Sequence, residues 1–148
     1  MRHYKHTQPG FVIRFALILP ILVIAALAFI EPAAKFTENP ILLAAIYIVL
    51  VLLILIFHSL TVTVFDDDIV VIFGIGLIKK RILISDIKSA TDVRNSPIHG
   101  WGIRWIKGGW CYNVSGLGAV ELVFKSGKKF RIGSDEASVL TEAIQARL

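Results

Sequence analysis

Apolar residues run almost unbroken through the first sixty positions, then recur at every second position. The chain therefore divides into a helical, membrane-type part and a strand-rich part. Phe11 to Ile30 is interrupted by one charge, Arg14. At about 1.5 Å per residue this run spans about 30 Å, the thickness of a hydrocarbon core. Ile41 to Phe57 has no charge, glycine or proline. Asn39-Pro40 marks its start, because Asn caps helices well and Pro suits the first helical position. The pattern predicts a two-helix transmembrane hairpin over residues 1–60, with spans at about 11–30 and 41–60. A short polar turn from Glu31 to Pro40 joins them. Pro20 is expected to kink the first helix, and Arg14 to snorkel to the headgroups. The first span has the basic start of a cleaved signal. Its apolar run is longer than a signal core, and a second span follows. A seventeen-residue run apolar on every face would need a far larger protein around it to be a soluble core helix.

After residue 60 the pattern predicts about seven antiparallel strands capped by a C-terminal helix. Thr61–Phe65 and Ile69–Phe73 form a hairpin around Asp66-Asp67-Asp68. Leu77–Ile84 and Ile87–Val93 follow. Arg94–Gly109 is read as irregular, with a short strand at Trp110–Val114. Ala119–Lys125 and Lys128–Ile132 form a last hairpin around Ser126-Gly127. Ser134 is the expected N-cap of the helix, whose apolar stripe is Ala137, Leu140, Ala143, Ile144 and Leu148.

Charge adds an orientation. Residues 61–148 carry twelve Lys/Arg against nine Asp/Glu. Arg2, Lys5 and Arg14 precede or open the first span, and Lys79-Lys80-Arg81 follow the second. Positive-inside reasoning places both termini in the cytoplasm, with the turn outside. Arg14, Lys79, Lys80 and Arg81 are the candidate membrane-proximal basic residues. Cys111 is the single cysteine, which leaves no intramolecular disulfide and no multi-thiolate zinc site.

The strand order and terminal helix, with the stretches Gly100-Trp101-Gly102-Ile103-Arg104, Gly109-Trp110, Asn113-Val114-Ser115-Gly116, Ala119-Val120-Glu121-Leu122 and Phe130-Arg131-Ile132-Gly133-Ser134-Asp135-Glu136, resemble the bacterial pleckstrin-homology-like domains. Those domains are often carried on a pair of membrane helices. The resemblance covers about residues 58–148. It implies a PH-like fold on the inner (cytoplasmic) membrane of a bacterium, and it supplies no activity. Lipid-binding relatives of the fold carry a basic first hairpin loop that grips phosphoinositide phosphates. Asp66-Asp67-Asp68 stand in that loop here.

The three acids suit a solvated turn better than a cation site, and Gly74-Ile75-Gly76 opens no helix that would cradle a phosphate. No cofactor and no metal is expected. The most unusual stretch is Gly100 to Trp110, where all three tryptophans are interleaved with Arg104 and Lys107. One reading makes Trp101, Arg104, Trp105, Lys107 and Trp110 an interface, contacting lipid headgroups or a partner protein. The other packs Trp101 and Trp110 into the core. No nucleic acid is expected as a ligand of a mildly basic domain tethered to a membrane. His3 and His6 fall in a terminal tail.

No nucleophile and base stand at a spacing that argues for catalysis. The expected function is a non-catalytic, membrane-anchored binding or assembly module. Its expected partners are the lipid bilayer, other membrane proteins or further copies of itself, and anionic lipid headgroups. The alternative is a lipid-handling enzyme with a site near Asp92, His99 and Arg104.

Overall fold

The computed structural model describes residues 1–30, 39–97 and 100–148. The expected turn at residues 31–38 and the candidate His99 lie outside the described residues. The chain opens with a strand, β1 (Arg2–Pro9), and enters helix α1 (Phe11–Ile30). Helix α2 (Pro40–Phe57) follows and leads straight into β2 (Ser59–Phe65). Then come β3 (Asp68–Phe73), β4 (Ile78–Leu83), a single 3₁₀ turn at Ile84–Asp86, and β5 (Ile87–Arg94). The last five elements are β6 (Gly102–Ile106), β7 (Gly109–Asn113), β8 (Gly118–Phe124), β9 (Lys129–Gly133) and α3 (Ala137–Gln145).

α2 is as its sequence demands. The Asn39 side chain accepts a hydrogen bond from Leu42 N at 3.1 Å, and Pro40 opens the first turn. Its mean hydropathy is 3.2, none of its residues is buried, and it is long and apolar enough to cross a membrane. α1 carries a further apolar run, Phe11–Leu27, and packs along α2. Tyr47 donates from its hydroxyl to Ile21 O at 3.4 Å, tying the two helices one residue past Pro20.

The strands form two sheets, ordered β1-β2-β3-β4 and β5-β8-β9-β7-β6. Their facing sides enclose one core of Leu60, Val62, Val64, Val71, Phe73, Ile87, Val120, Leu122 and Ile132. α3 closes it by burying Leu140 and Ile144, and Gln145 Nε2 anchors the helix to Ala90 O at 2.8 Å. The N-cap of α3 is Glu136, without a side-chain cap bond, and not the expected Ser134, whose Oγ accepts from Glu136 N at 3.1 Å in the turn before the helix. Leu148, expected on the apolar stripe, lies past the helix end and is exposed.

Three features depart from the sequence reading. First, residues 2–9 are no tail. They pair antiparallel with β2 from Arg2↔Phe65 to Pro9↔Ser59, so α1 and α2 are inserted between two neighbouring strands of one sheet. The strand forms because Tyr4 packs against the core and Thr7 meets Thr61 (Oγ1–Oγ1 2.9 Å), covering an otherwise open edge of β2. Second, Gly102–Ile106 is a strand. Lys107-Gly108 is a two-residue turn that pairs it with β7, and Gly108 supplies the φ of 93° this turn requires. Third, the strands are not all antiparallel: β7 and β9 run parallel, from Gly109↔Lys129 to Tyr112↔Ile132. The described residues form nine strands rather than the expected seven.

Candidate functional site at the junction of helices and sheets

The helices join the sheets through a dense knot of backbone contacts. Gly10 N donates to His58 O at 2.7 Å. Arg14 donates to the same carbonyl from Nε at 3.2 Å and Nη2 at 3.0 Å. A helix C-terminus leaves its last carbonyls without partners and carries partial negative charge, so a guanidinium there satisfies both demands. Arg14, expected to reach for headgroups, is thus turned inward to cap α2, and its guanidinium lies 5.7 Å from the centre of the Phe11 ring. On the other side Ile75 N donates to Leu55 O at 3.3 Å and Gly74 N to Ser59 O at 2.8 Å. A Cβ on Gly74 would run into the Leu55 and Ile56 carbonyl oxygens, and one on Gly10 would lie 2.7 Å from Phe57 O. Only glycine permits these approaches. Phe57 then meets Phe73 edge-on at 5.2 Å, carrying the aromatic contacts on to Tyr112 and Phe130.

Beside this knot lies a cleft of about 570 Å³. One wall is apolar, from Val12, Ile13, Ala16 and Leu17 of α1 with Leu53 and Phe57 of α2; the other is Gly100–Arg104. Gly100 (φ 64°) and Gly102 (φ 94°) fold that segment so that Trp101 Nε1 donates to Gly116 O at 3.2 Å and Arg104 Nε to Trp101 O at 2.9 Å. No carboxylate of the described residues forms a salt bridge with Arg104. The cleft therefore offers an apolar floor, an indole and a cation to whatever occupies it.

The tryptophans do not form one patch. Trp101 lines the cleft, half-buried. Trp105 and Trp110 are cross-strand partners on the β6–β7 ladder, packed edge to face at 5.1 Å, and are 65% and 47% exposed. Of the two readings, the one that packs Trp101 and Trp110 into the core does not hold: Trp101 is only half-buried and Trp110 is exposed. Side chains alternate along a strand, so the Trp105–Trp110 pair shares a face with the core-packed Ile103 and Tyr112 but lies one pair nearer the turn. Lys107 is exposed in that turn. Lys79, Lys80 and Arg81 are exposed on β4, an outer strand, and Arg81 is paired with Asp68. Asp66 receives the Met1 amino group and His3. Two of the three acids of the first loop are thus engaged within the domain. Asp92 lines a separate groove with Arg94 and Gly116–Gly118, so the structure does not bring it to Arg104.

A buried polar network escaped the sequence reading. Glu121, only 8% exposed, accepts from Lys129 Nζ at 2.8 Å and Arg131 Nε at 2.7 Å. Burial alone would raise its carboxyl pKa; the two cations more than offset this and hold it below the usual carboxylate range. Arg131 continues to Asn95 Oδ1 (3.3 Å), and Asn95 Nδ2 to Cys111 Sγ (3.7 Å). Burial pushes the Cys111 thiol up, away from the reactive thiolate. The alternation at 120–125 shows that Glu121 faces away from the core. It does not show that the two cations, on the adjacent strand β9 with Arg131 directly opposite Glu121, close onto one carboxylate. His6 likewise meets Asp135 at 2.7 Å and Glu136 at 3.3 Å, and burial with the Glu136 charge pushes Tyr4 up to about 12.

Comparison of the chain with protein-family models, curated proteins and solved structures finds no match.

Proposed function

We propose that the protein is a non-catalytic, membrane-anchored binding module of the bacterial inner membrane, working through a PH-like domain held at the cytoplasmic surface. α1 and α2 form the transmembrane hairpin, with both termini inside. The observation that carries this reading is the knot at His58. It leaves no linker between the apolar helices and the sheets, and it sets the cleft beside the first two turns of α1. In that position the cleft opens where acyl chains meet headgroups, so its occupant is a membrane component: an anionic lipid, or a segment of another membrane protein or of a second copy. Two stacked sheets closed by a terminal helix support the PH-like assignment, although two extra strands and the acidic Asp66–Asp68 loop set it apart from phosphoinositide binders.

A photoreactive amino acid in place of Trp101 tests the proposal in intact cells. It should crosslink to a lipid or a membrane protein, while the same group at Val139, exposed on α3, should not. Arg104→Glu should abolish the crosslink while costing no more than about 0.5–1.5 kcal/mol, the worth of its exposed bond to Trp101 O. A protein that stays uncrosslinked, monomeric and indifferent to anionic vesicles would contradict the reading.

A further inference from the structure

We propose that the turn Gly74-Ile75-Gly76-Leu77 between β3 and β4 is a second membrane contact. Ile75 and Leu77 enter the lipid interface beside α2, and Lys79 and Lys80 meet anionic headgroups above it. The inference rests on the anchoring reading above, and it concerns a surface separate from the cleft.

The depth of the turn follows from its hydrogen bond. α2 has 18 residues, or about 27 Å of helix, against a hydrocarbon core of about 30 Å. A helix that short has no turn to spare outside the core, so its last turn lies at the boundary. Ile75 N is bonded to Leu55 O in that last turn, and Gly74 is pressed against the Leu55 and Ile56 carbonyls. The turn is therefore held at the boundary too.

Its composition is wrong for water. Ile75 is 56% exposed and Leu77 69%, in a turn where the glycines φ of 42° and 92° supply the geometry and the two side chains add nothing to it. Polar residues usually fill such positions. Lys79 and Lys80 then stand about 7–10 Å further along the strand, at the rise of 3.3 Å per residue expected for β4. Both are exposed, on an outer strand. Apolar tips below and ammonium groups above match the layers of an anionic leaflet. Continuity with the lipid-exposed face of α2 identifies the occupant as the bilayer in which α2 sits.

The test places single environment-sensitive fluorophores on the full chain, with Cys111→Ala as background, in nanodiscs of zwitterionic and anionic phospholipid. Labelled positions are Ile75→Cys, Leu77→Cys, Leu52→Cys in α2 and Val139→Cys on α3. Quenchers are carried at shallow or deep positions on the lipid. The proposal predicts shallow quenching at 75 and 77, deep quenching at 52 and none at 139. With Lys79→Glu and Lys80→Glu together, the shallow quenching should fall in anionic discs but not in zwitterionic ones. If 52 is quenched but 75 and 77 are not, whether they face water or a partner, the turn is no membrane contact and the anchoring reading stands. If 52 is unquenched, the anchoring reading falls and takes the inference with it.

Discussion

At the scale of single residues, three positions are fixed by contacts that a substitution can probe. Gly74 is held at positive φ against two helix carbonyls. Gly74→Ala should therefore cost more than the ~1–2 kcal/mol that a left-handed conformation alone imposes on a residue with a Cβ. Gly127, also at positive φ but with nothing near a Cβ, should show only that smaller cost when changed to Ala. Thermal unfolding of the two variants side by side checks the difference. Glu121 gives a pH signature. Its carboxyl is held below its ordinary range, so its contribution is fully present above the unfolded value of about 4.3 and is lost as pH falls through the lower folded value. Glu121→Gln should lower stability by about 2 kcal/mol at neutral pH, the worth of a hydrogen bond to a charged group. The gap between variant and native protein should narrow below about pH 4. A constant gap across that range would show that the ion pairs are not its source. Arg14 makes the third case. Arg14→Ala should cost about 1.5–3 kcal/mol by removing the charged donor from His58 O, which keeps only its bond from Gly10 N, and Arg14→Lys should recover only part of that, since an ammonium cannot repeat the two-pronged contact.

At the scale of elements, what the sequence reveals depends on whether the controlling contact is local. The apolar run of α2, its Asn39-Pro40 start and the β8–β9 hairpin around Ser126-Gly127 are governed by neighbours in sequence, and all are legible there. β1 is not. Arg2–Pro9 is polar and basic, and it becomes a strand only because β2, fifty residues on, offers it an edge. β6 is hidden for another reason. Its glycines read as irregular loop, but Gly109 is required where β7 approaches the Lys129 carbonyl and Gly108 where the hairpin turns. The candidate site was half legible. Trp101 and Arg104 stand out by composition, but the wall they face belongs to α1 and α2, which only the fold brings near. Arg14 stands in the sequence as a charge in an apolar run and in the fold caps the neighbouring helix. The dependence on β1 can be tested directly. A chain beginning at Gly10 should leave the β2 edge with Val62 and Val64 uncovered, and should be recovered as aggregate or lose its cooperative melting transition. A deletion that melts like the full chain would show that β1 is dispensable.

At the scale of the whole molecule, the inserted helices change what the domain is. A domain on a C-terminal tether could swing away from the membrane. One entered and left at adjoining points, Pro9 and Ser59, with Gly10, Arg14, Gly74 and Ile75 bonded around the helix base, cannot. The proposed cleft and the proposed interfacial turn both depend on that fixed relation. With the proposed transmembrane hairpin it also predicts that the two termini lie on one side of the bilayer, since the chain would cross out from β1 and back into β2. Distance measurement between spin labels tests it most directly, with one label at Ile48→Cys in α2 and one at Val139→Cys in α3. Both positions are exposed, and Cys111→Ala removes the native thiol. For the full chain in nanodiscs, a single body predicts one narrow distance distribution, unchanged between zwitterionic and anionic lipid. A broad or multimodal distribution would contradict it.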